Sequence, residues 1–516
     1  MCNHHAPRQA GPDRRSLLLA GAGVATYAAA QGVAPAAAGT TRTLRFSGRF
    51  TGVDTPDWHY LPVRIPKGVR AIEVAYDYTS TDTGAGFSLN VIDIGIFDPS
   101  GHGLGNANGF RGWSGGARKK FRISPSGATP GYLAGPITPG VWQVILGPVA
   151  IVPPGVEWSV AVTLHFGRPG RRFRPQPPPR AVRGTGPGWY RGDLHLHTVH
   201  SDGKRTQAGL TRDARAAGLD FIGSSEHNTS SAGLTWGRHV KPGDPLLVLC
   251  GEEVTTRAGH WLAMGVPAGA WVDWRYRPED GQLHRFTTRV RGLGGMAIAC
   301  HPWVPIPATK WDFGYDYAAM DAVEIWNGPW TLDDQVGVEH WHAMLVAGTF
   351  VPVIGNSDAH HDGQTVGQAQ TVVRASTLST AAIVRGLRLG RSWLAESSAV
   401  ELTFEAALGD RTVSCGDRLA AGPTDLVDVR LEVSGVPNCL VQVLGPLGPL
   451  AGAATTTGQA TVEVQVPAGV TPFVRAEVRR LDGAPVVNPL EGVPGLAMVA
   501  MTNPVFLGDS LGDSLG

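Results

Sequence analysis

From residue 42 to 167 apolar positions alternate with polar or small ones. Leu44, Phe46, Ile92, Ile94, Ile96, Trp142, Val144, Leu146, Val160, Val162 and Leu164 mark the runs, and period two is the signature of strands with one buried face. Glycine and proline punctuate the runs, so residues 42–167 are predicted to form an N-terminal β-sandwich. Residues 168–188, with Pro175, Pro177, Pro178 and Pro179 among many arginines, read as an extended, stiff linker. From 189 to 395 the period switches. Short apolar runs at 194–196, 221–222, 246–249, 296–300, 323–326 and 351–354 alternate with helical patterns at 207–217, 283–293, 332–347 and 379–387. Such a βα chain predicts a parallel sheet, open or closed into a barrel. Strand patterns resume over 400–505, where an immunoglobulin-like C-terminal β-sandwich is expected, and 506–516 (FLGDSLGDSLG) has little to pack and reads as a flexible tail.

Composition narrows the classes. The chain of 516 residues balances 44 Lys and Arg against 43 Asp and Glu, which leaves no broad basic surface for holding long nucleic acids, so no stable nucleic-acid partner is expected. Past residue 40 there is no uninterrupted apolar run near the length that spans a bilayer, and no transmembrane segment is expected in the mature chain. Residues 1–38 are different. A polar start leads to Arg14-Arg15, then Ser16-Leu17-Leu18-Leu19-Ala20 and small residues from Ala34 to Ala38, which resembles a twin-arginine signal peptide. It implies recognition by the twin-arginine export machinery, a mature chain starting near Gly39, and a periplasmic or extracellular location. Five cysteines make no disulfide scaffold, although Cys415 and Cys439 could pair in an oxidising compartment.

Histidine placement carries the chemistry. Twelve of 17 histidines lie between His195 and His361, and none follows. His195 and His197 end the first run of the βα region, where alternation puts both imidazoles on one side. Asp202 follows in a turn. His227 follows the second run in Ser225-Glu226-His227, Glu253 the third in Gly251-Glu252-Glu253, and His260 comes shortly after. His301 ends the run at Cys300, and Asp358 and His360 follow the last one. Each lies at or beyond the carboxyl end of an expected parallel strand, the rim where α/β enzymes place their chemistry. Imidazoles mixed with carboxylates suit Zn, Mn or Fe.

In this order, GDLHLHTVHSDG, GLDFIGSSEHN, GEEVTTRAGH, ACHPW and GNSDAHH resemble the motifs of the PHP (polymerase and histidinol phosphatase) superfamily of metal-dependent hydrolases. The Trp189-Tyr190-Arg191-Gly192-Asp193 lead-in, the export signal and the flanking β regions resemble its CehA/McbA-type branch. The resemblance, over 189–395, implies a multidomain protein with a central α/β distorted (β/α)7 barrel holding two or three divalent ions. It implies a first ion at His195, His197, Glu253 and Asp358, and a second at Glu253, His260 and His301. Asp202, His227 and His360 would take the third. Glu226 stands where many members have aspartate, and Glu252 rivals Glu253 as the bridging carboxylate.

A metal-dependent hydrolase with a metal-bridging hydroxide is therefore expected, acting on a small-molecule ester, with His195, His197, His227, Glu253, Asp358 and His360 as the catalytic set. Three ions would bring six positive charges against three from Asp202, Glu253 and Asp358, favouring a phosphate mono- or diester. Trp261, Trp303, Trp326 and Trp330 near the ligands would suit an aromatic or nucleoside leaving group. Arg191, Lys204, Arg205, Arg257 and Lys310 are the basic residues nearest in sequence. Alternatives are an aryl carbamate or carboxyl ester hydrolase, a non-catalytic secreted metal-containing binding protein, and nuclease-like use on polymers. His200, His239, His284, His340, His342 and His361 read as surface, helix or cleft residues.

Overall fold

A computed structural model describes residues 39–508 apart from 53–54, 80–89, 307–308 and 482–495. The expected export signal, and the tail from residue 509, lie outside the described residues. The N-terminal alternation forms strands where it predicts them. A five-stranded sheet runs Thr41–Phe50, Val156–Phe166, Val69–Tyr78, Lys120–Ser124, Gly127–Ala128, and a four-stranded sheet runs His59–Ile65, Gly140–Ala150, Val91–Phe97, Phe110–Gly115. Their inward positions meet in one core that includes Ile72, Val74, Ile94, Trp142, Val144 and Val162. The four-stranded sheet also buries residues on its other side: Phe97, Phe110, Trp113 and Ile145 pack with Val254, Trp261, Trp271 and Trp274 of the next region. Each such side chain stabilises the join by about 1.5–3 kcal/mol, so this unit is fastened to the region carrying the histidines.

That region is built on one large curled sheet of 15 strands. Its helices, Gln207–Ala216, Leu283–Gly292, Leu332–Val346 and Thr380–Arg388, fall on the predicted patterns, and the Thr206 and Ser379 side chains cap the first and last. The sheet is mixed, against the parallel arrangement expected. Gly188–Asp193, Phe221–Ser224 and Leu247–Thr256 pair in parallel, as do Met296–Cys300, Ala322–Asn327 and Val353–Asn356. Between these groups Gly259–Met264 runs antiparallel to both neighbours. The reason is the turn at Arg257-Ala258, which is long enough for a hairpin and far too short for a helical crossover. Gln370–Ala375 and Ser392–Ala395 extend the opposite edge, also antiparallel. The first strand is displaced from 194–196 to Gly188–Asp193. Gly192 lies directly against Phe221, whose ring atom Cε2 is 2.1 Å from where a Cβ would sit, so no side chain fits there.

The curl brings the edge strand Val353–Asn356 back beside Gly188–Asp193. Leu196, just past the first strand, bridges to Ala359, just past Val353–Asn356. The same sheet continues into the C-terminal region through Met498–Thr502, paired with Ser392–Ala395, and then Phe473–Arg480, Cys439–Gly445 and Gly448–Thr455. A four-stranded sheet, Arg411–Ser414, Glu401–Leu408, Leu426–Ser434, Gln459–Pro467, faces it across a shared core. Phe506 and Leu507, expected in the tail, are buried on strand Val505–Leu507 because Phe473 and Val474 pair with that strand. Cys415 and Cys439 are buried in that core without a disulfide between them. No helix among the described residues is long and apolar enough to cross a membrane.

Candidate metal centre

Backbone pairing sets the first two histidines. The Leu194 N–H donates to Asn356 Oδ1 at 2.7 Å and the His197 N–H to the Ala359 carbonyl at 3.3 Å, which keeps 194–197 extended. Leu194 and Leu196 then point into apolar clusters and His195 and His197 point together to the other side, both fully buried. Asp193 fastens this segment, accepting from Ser357 Oγ and from the N–H groups of Ser357, Gly367 and His195. Burial outweighs those hydrogen bonds and pushes its carboxyl up to about 7.

Glu253 is the hub. Its Oε2 lies 3.3 Å from His195 Nε2, 3.5 Å from His197 Nε2 and 2.8 Å from His227 Nδ1. Its Oε1 lies 2.8 Å from His260 Nδ1 and 3.5 Å from His301 Nε2. The two oxygens thus face two different imidazole sets, the geometry of a carboxylate that can bridge two cations. Asp358 Oδ1 sits 3.3 Å from His195 Nε2, 3.1 Å from His197 Nε2 and 3.5 Å from His360 Nδ1. Asp202 Oδ1 reaches His227 Nε2 at 3.6 Å and His360 Nε2 at 3.5 Å. All nine residues singled out in the sequence fall into groups whose donor atoms lie within 4.8 Å of one another: His195-His197-Glu253, Glu253-His260-His301, His195-His301-Asp358 and His197-Asp202-His227-His360.

The donors fit divalent cations on physical grounds. His195 Nε2, His197 Nε2, Glu253 Oε2, Asp358 Oδ1 and Asp202 Oδ1 are buried and face one another as ion pairs without a well-directed hydrogen bond, which costs free energy unless something binds between them. Their charge states carry the same message. Burial opposes ionisation of Glu253, but His227, His195 and His260 outweigh it and hold its carboxyl well below the usual range. Asp358 is lowered in the same way by His195, His197 and His360. Burial would lower His195, yet Asp358, Glu324 and Glu253 raise it well above its ordinary value, while Glu253 and Asp202 raise His227 to about 10. His197, buried beside His360 and His227, is driven to about 3. The carboxylates of Glu253 and Asp358 are thus held as anions among the imidazoles. Backbone strain marks the same place: His301, Asp358 and Asn228 have φ of 30°, 49° and 55°, a region non-glycine residues adopt when surrounding structure compels it.

Glu324 escaped the sequence reading. Fully buried, it receives His195 Nδ1 at 3.1 Å on both oxygens, the His301 N–H at 3.1 Å and Asn356 Nδ2 at 2.9 Å. It fixes the ring that would hold a metal through Nε2. The available signal was an acid inside the apolar run Val323-Glu324-Ile325-Trp326. Cys300 is fully buried, and its thiol lies within 4.8 Å of donor atoms of His195 and Glu324. His260, expected at or beyond the carboxyl end of a parallel strand, sits near the start of the antiparallel strand Gly259–Met264.

Other candidates are placed elsewhere. Glu226 accepts from the Thr198 N–H and Ser201 Oγ, securing the loop between His197 and Asp202. Glu252 alternates to the other face of its strand and accepts from the Val272 N–H. Trp261 and Trp326 are fully buried, with indole N–H groups donating to Tyr276 and the Gly328 carbonyl, and Trp330 is 7% exposed. These three pack the core because their rings close the sheet against its helices; Trp303 alone is partly open, against Tyr315 and His340. Arg191 pairs with Glu401, Arg205 with Asp213, and Lys310 with Asp312, while Lys204 is exposed. Arg257, at the tip of the hairpin that carries His260, stacks over Trp58, 3.8 Å from Asp93, with Nε and Nη2 lacking hydrogen-bond partners. His200, His239, His284, His340, His342 and His361 belong to none of the groups.

Comparison with known proteins adds the following. Among solved structures, the chain is similar to a two-domain protein from Bacteroides vulgatus containing predicted PHP-like metal-dependent phosphoesterase, at 17% identity and a TM-score of 0.33, covering 65% of this chain and 100% of that one. It is also similar to an amidohydrolase from Chromobacterium violaceum with bound sulfate and no metal, at 18% identity and a TM-score of 0.26, covering 34% of this chain and 89% of that one. No curated protein matches. The family model described as PHP-associated matches residues 349–392, the stretch that carries Asp358 and His360.

Proposed function

We propose that the chain is an exported metal-dependent hydrolase of the PHP superfamily, in its CehA/McbA-type branch, built on a distorted (β/α)7 barrel with flanking β-sandwiches and acting on small phosphate mono- or diesters. The observation that carries this reading is Glu253, whose two oxygens each face a separate imidazole set within 3.5 Å. Divalent ions (Zn, Mn or Fe) held there would supply an activated water and a positive field for the charge that develops on the substrate. His195, His197, Glu253 and Asp358 would hold one, His260 and His301 with Glu253 a second, and Asp202, His227 and His360 a third. The protein's own part is orientation: Glu324 fixes His195, Asp193 fixes the segment 193–195, and Glu226 fixes the loop to Asp202.

Arg257 supports a substrate bearing negative charge, because its guanidinium keeps donors unengaged at the tip of the hairpin that carries His260. Asp93 beside it favours the second reading, an aryl carbamate or carboxyl ester, since it offsets that charge; burial pushes Asp93 up to about 6, while Arg257 and His227 pull it down. The purified protein loaded with Mn or Zn is offered an aryl phosphodiester and an aryl carboxyl ester. Glu253→Gln is expected to lose turnover on both, together with bound metal. Full activity with two retained ions in that variant refutes the reading, and a wild-type rate about 100-fold higher on the neutral ester, some 2.7 kcal/mol of barrier, replaces the phosphoester assignment.

A further inference from the structure

The stretch from Arg168 to Arg183 contains six arginines and no acid, in a chain whose net charge is only +1. It was expected as a stiff spacer, yet its backbone is clamped on both sides. The Phe173 N–H donates to the Pro125 carbonyl at 2.7 Å, the Gln176 N–H to the Leu234 carbonyl at 2.8 Å, and the Gly237 N–H to the Gln176 carbonyl at 2.7 Å. Gly237 is required there, since a Cβ would lie 2.4 Å from the Pro177 carbonyl oxygen. The clamp positions the exposed Arg171, Arg172 and Arg174 with Arg238 around Phe173 and Gln176, lining an open surface cavity of about 740 Å³. That volume is of the order of small-molecule sites.

None of the four arginines has a carboxylate within 4.0 Å among the described residues. Arg238 donates through Nε to Gln176 Oε1 at 3.1 Å and stacks 5.7 Å from the Phe173 ring; no hydrogen bond is formed by its Nη groups among the described residues. A second cavity, of about 220 Å³, shares Phe173 and Arg238 and extends to His200 and Ser231 at the base of the loop between His197 and Asp202. Four like charges gathered at one surface cavity by an anchored backbone favour an anion between them. Guanidinium forks match phosphate oxygens in pairs, and four of them offer more donors than a single phosphate engages.

We propose that this cavity is a binding site for a small molecule carrying two or more phosphate groups, separate from the metal centre and independent of its chemistry. Inorganic pyrophosphate is the probe. Titration calorimetry of the full chain at low salt should show saturable binding at one site per chain. Arg172→Ala combined with Arg174→Ala should weaken binding about 30-fold or more, since two charge-assisted contacts are lost. The matching Arg→Lys pair, which keeps charge and loses the fork, should lose about fivefold, and its retained fold guards against a trivial loss. Turnover at the metal centre should be unchanged in both. Absence of saturable binding, or equal affinity in the alanine pair, overturns the proposal. Tighter binding of a long single-stranded oligonucleotide than of pyrophosphate also overturns it, by assigning the arginines to a polymer.

Discussion

Glu324→Gln tests whether the centre depends on the groups behind its ligands. The substitution preserves volume at a fully buried position and replaces one acceptor oxygen by an amide N–H₂. The wild-type carboxylate receives His195 Nδ1, the His301 N–H and the Asn356 and Asn327 side-chain amides, at 2.9 to 3.3 Å. With one oxygen gone, one or two of these buried donors lose their acceptor, at about 1–3 kcal/mol each. His195 also loses the carboxylate that orients its ring, which typically weakens metal binding about 10- to 100-fold, or about 1.4–2.8 kcal/mol. Competition with a chromophoric chelator measures the affinity, and urea unfolding of the metal-free chain measures the fold separately. Glu324→Asp, retaining charge on a shorter arm, should recover part of the metal affinity. Wild-type zinc affinity in Glu324→Gln would refute the positioning role.

Three further outcomes are expected. Gly203→Ala places a Cβ 2.4 Å from the His197 carbonyl carbon and 2.6 Å from the Thr198 nitrogen; backbone cannot yield there, so stability should fall by about 2–4 kcal/mol in urea titrations. Metal bound through Asp202 should be lost with it. Glu477 is buried, which alone would raise it, but Arg475 and Arg479 hold it at about 2. A depressed acid contributes its stability above the unfolded value of 4.5 and loses it as pH falls through about 2. The gap between wild type and Glu477→Gln should therefore be about 3 kcal/mol at neutral pH and shrink below pH 4.5. Finally, removing metal with a chelator should lower the melting temperature, and zinc restored at about 100 times its Kd should return about 2.7 kcal/mol.

The site was more legible than the sheet that carries it. His195 and His197 announce themselves because two residues of one extended segment share a side, and Glu253, Asp358 and His360 follow strand-like apolar runs. Direction was not readable. The run around His260 has the same apolar character whether it returns as a hairpin or crosses over, and only the two-residue turn at Arg257-Ala258 decides it. Glu324 was hidden because a buried acid inside a strand looks like an interruption until its partners are in space. The tryptophans misled for a related reason: proximity in sequence to a ligand places a ring near the rim without saying which way it points, and Trp261 and Trp326 point into the core. Contacts between remote segments, such as Asp93 with Arg257 or the continuation of the large sheet through Met498–Thr502, leave no periodic trace.

The central claim is that Glu253 and Asp358 draw the histidines into a shared metal centre. Crystals soaked in zinc or manganese and measured at the metal's absorption edge give its most direct test. At least two anomalous peaks are expected, one within reach of His195, His197 and Asp358 and another beside His260 and His301, each about 2.0–2.2 Å from a Glu253 oxygen. Peaks confined to other histidines, or none beside Glu253 in the soaked crystal, would contradict it.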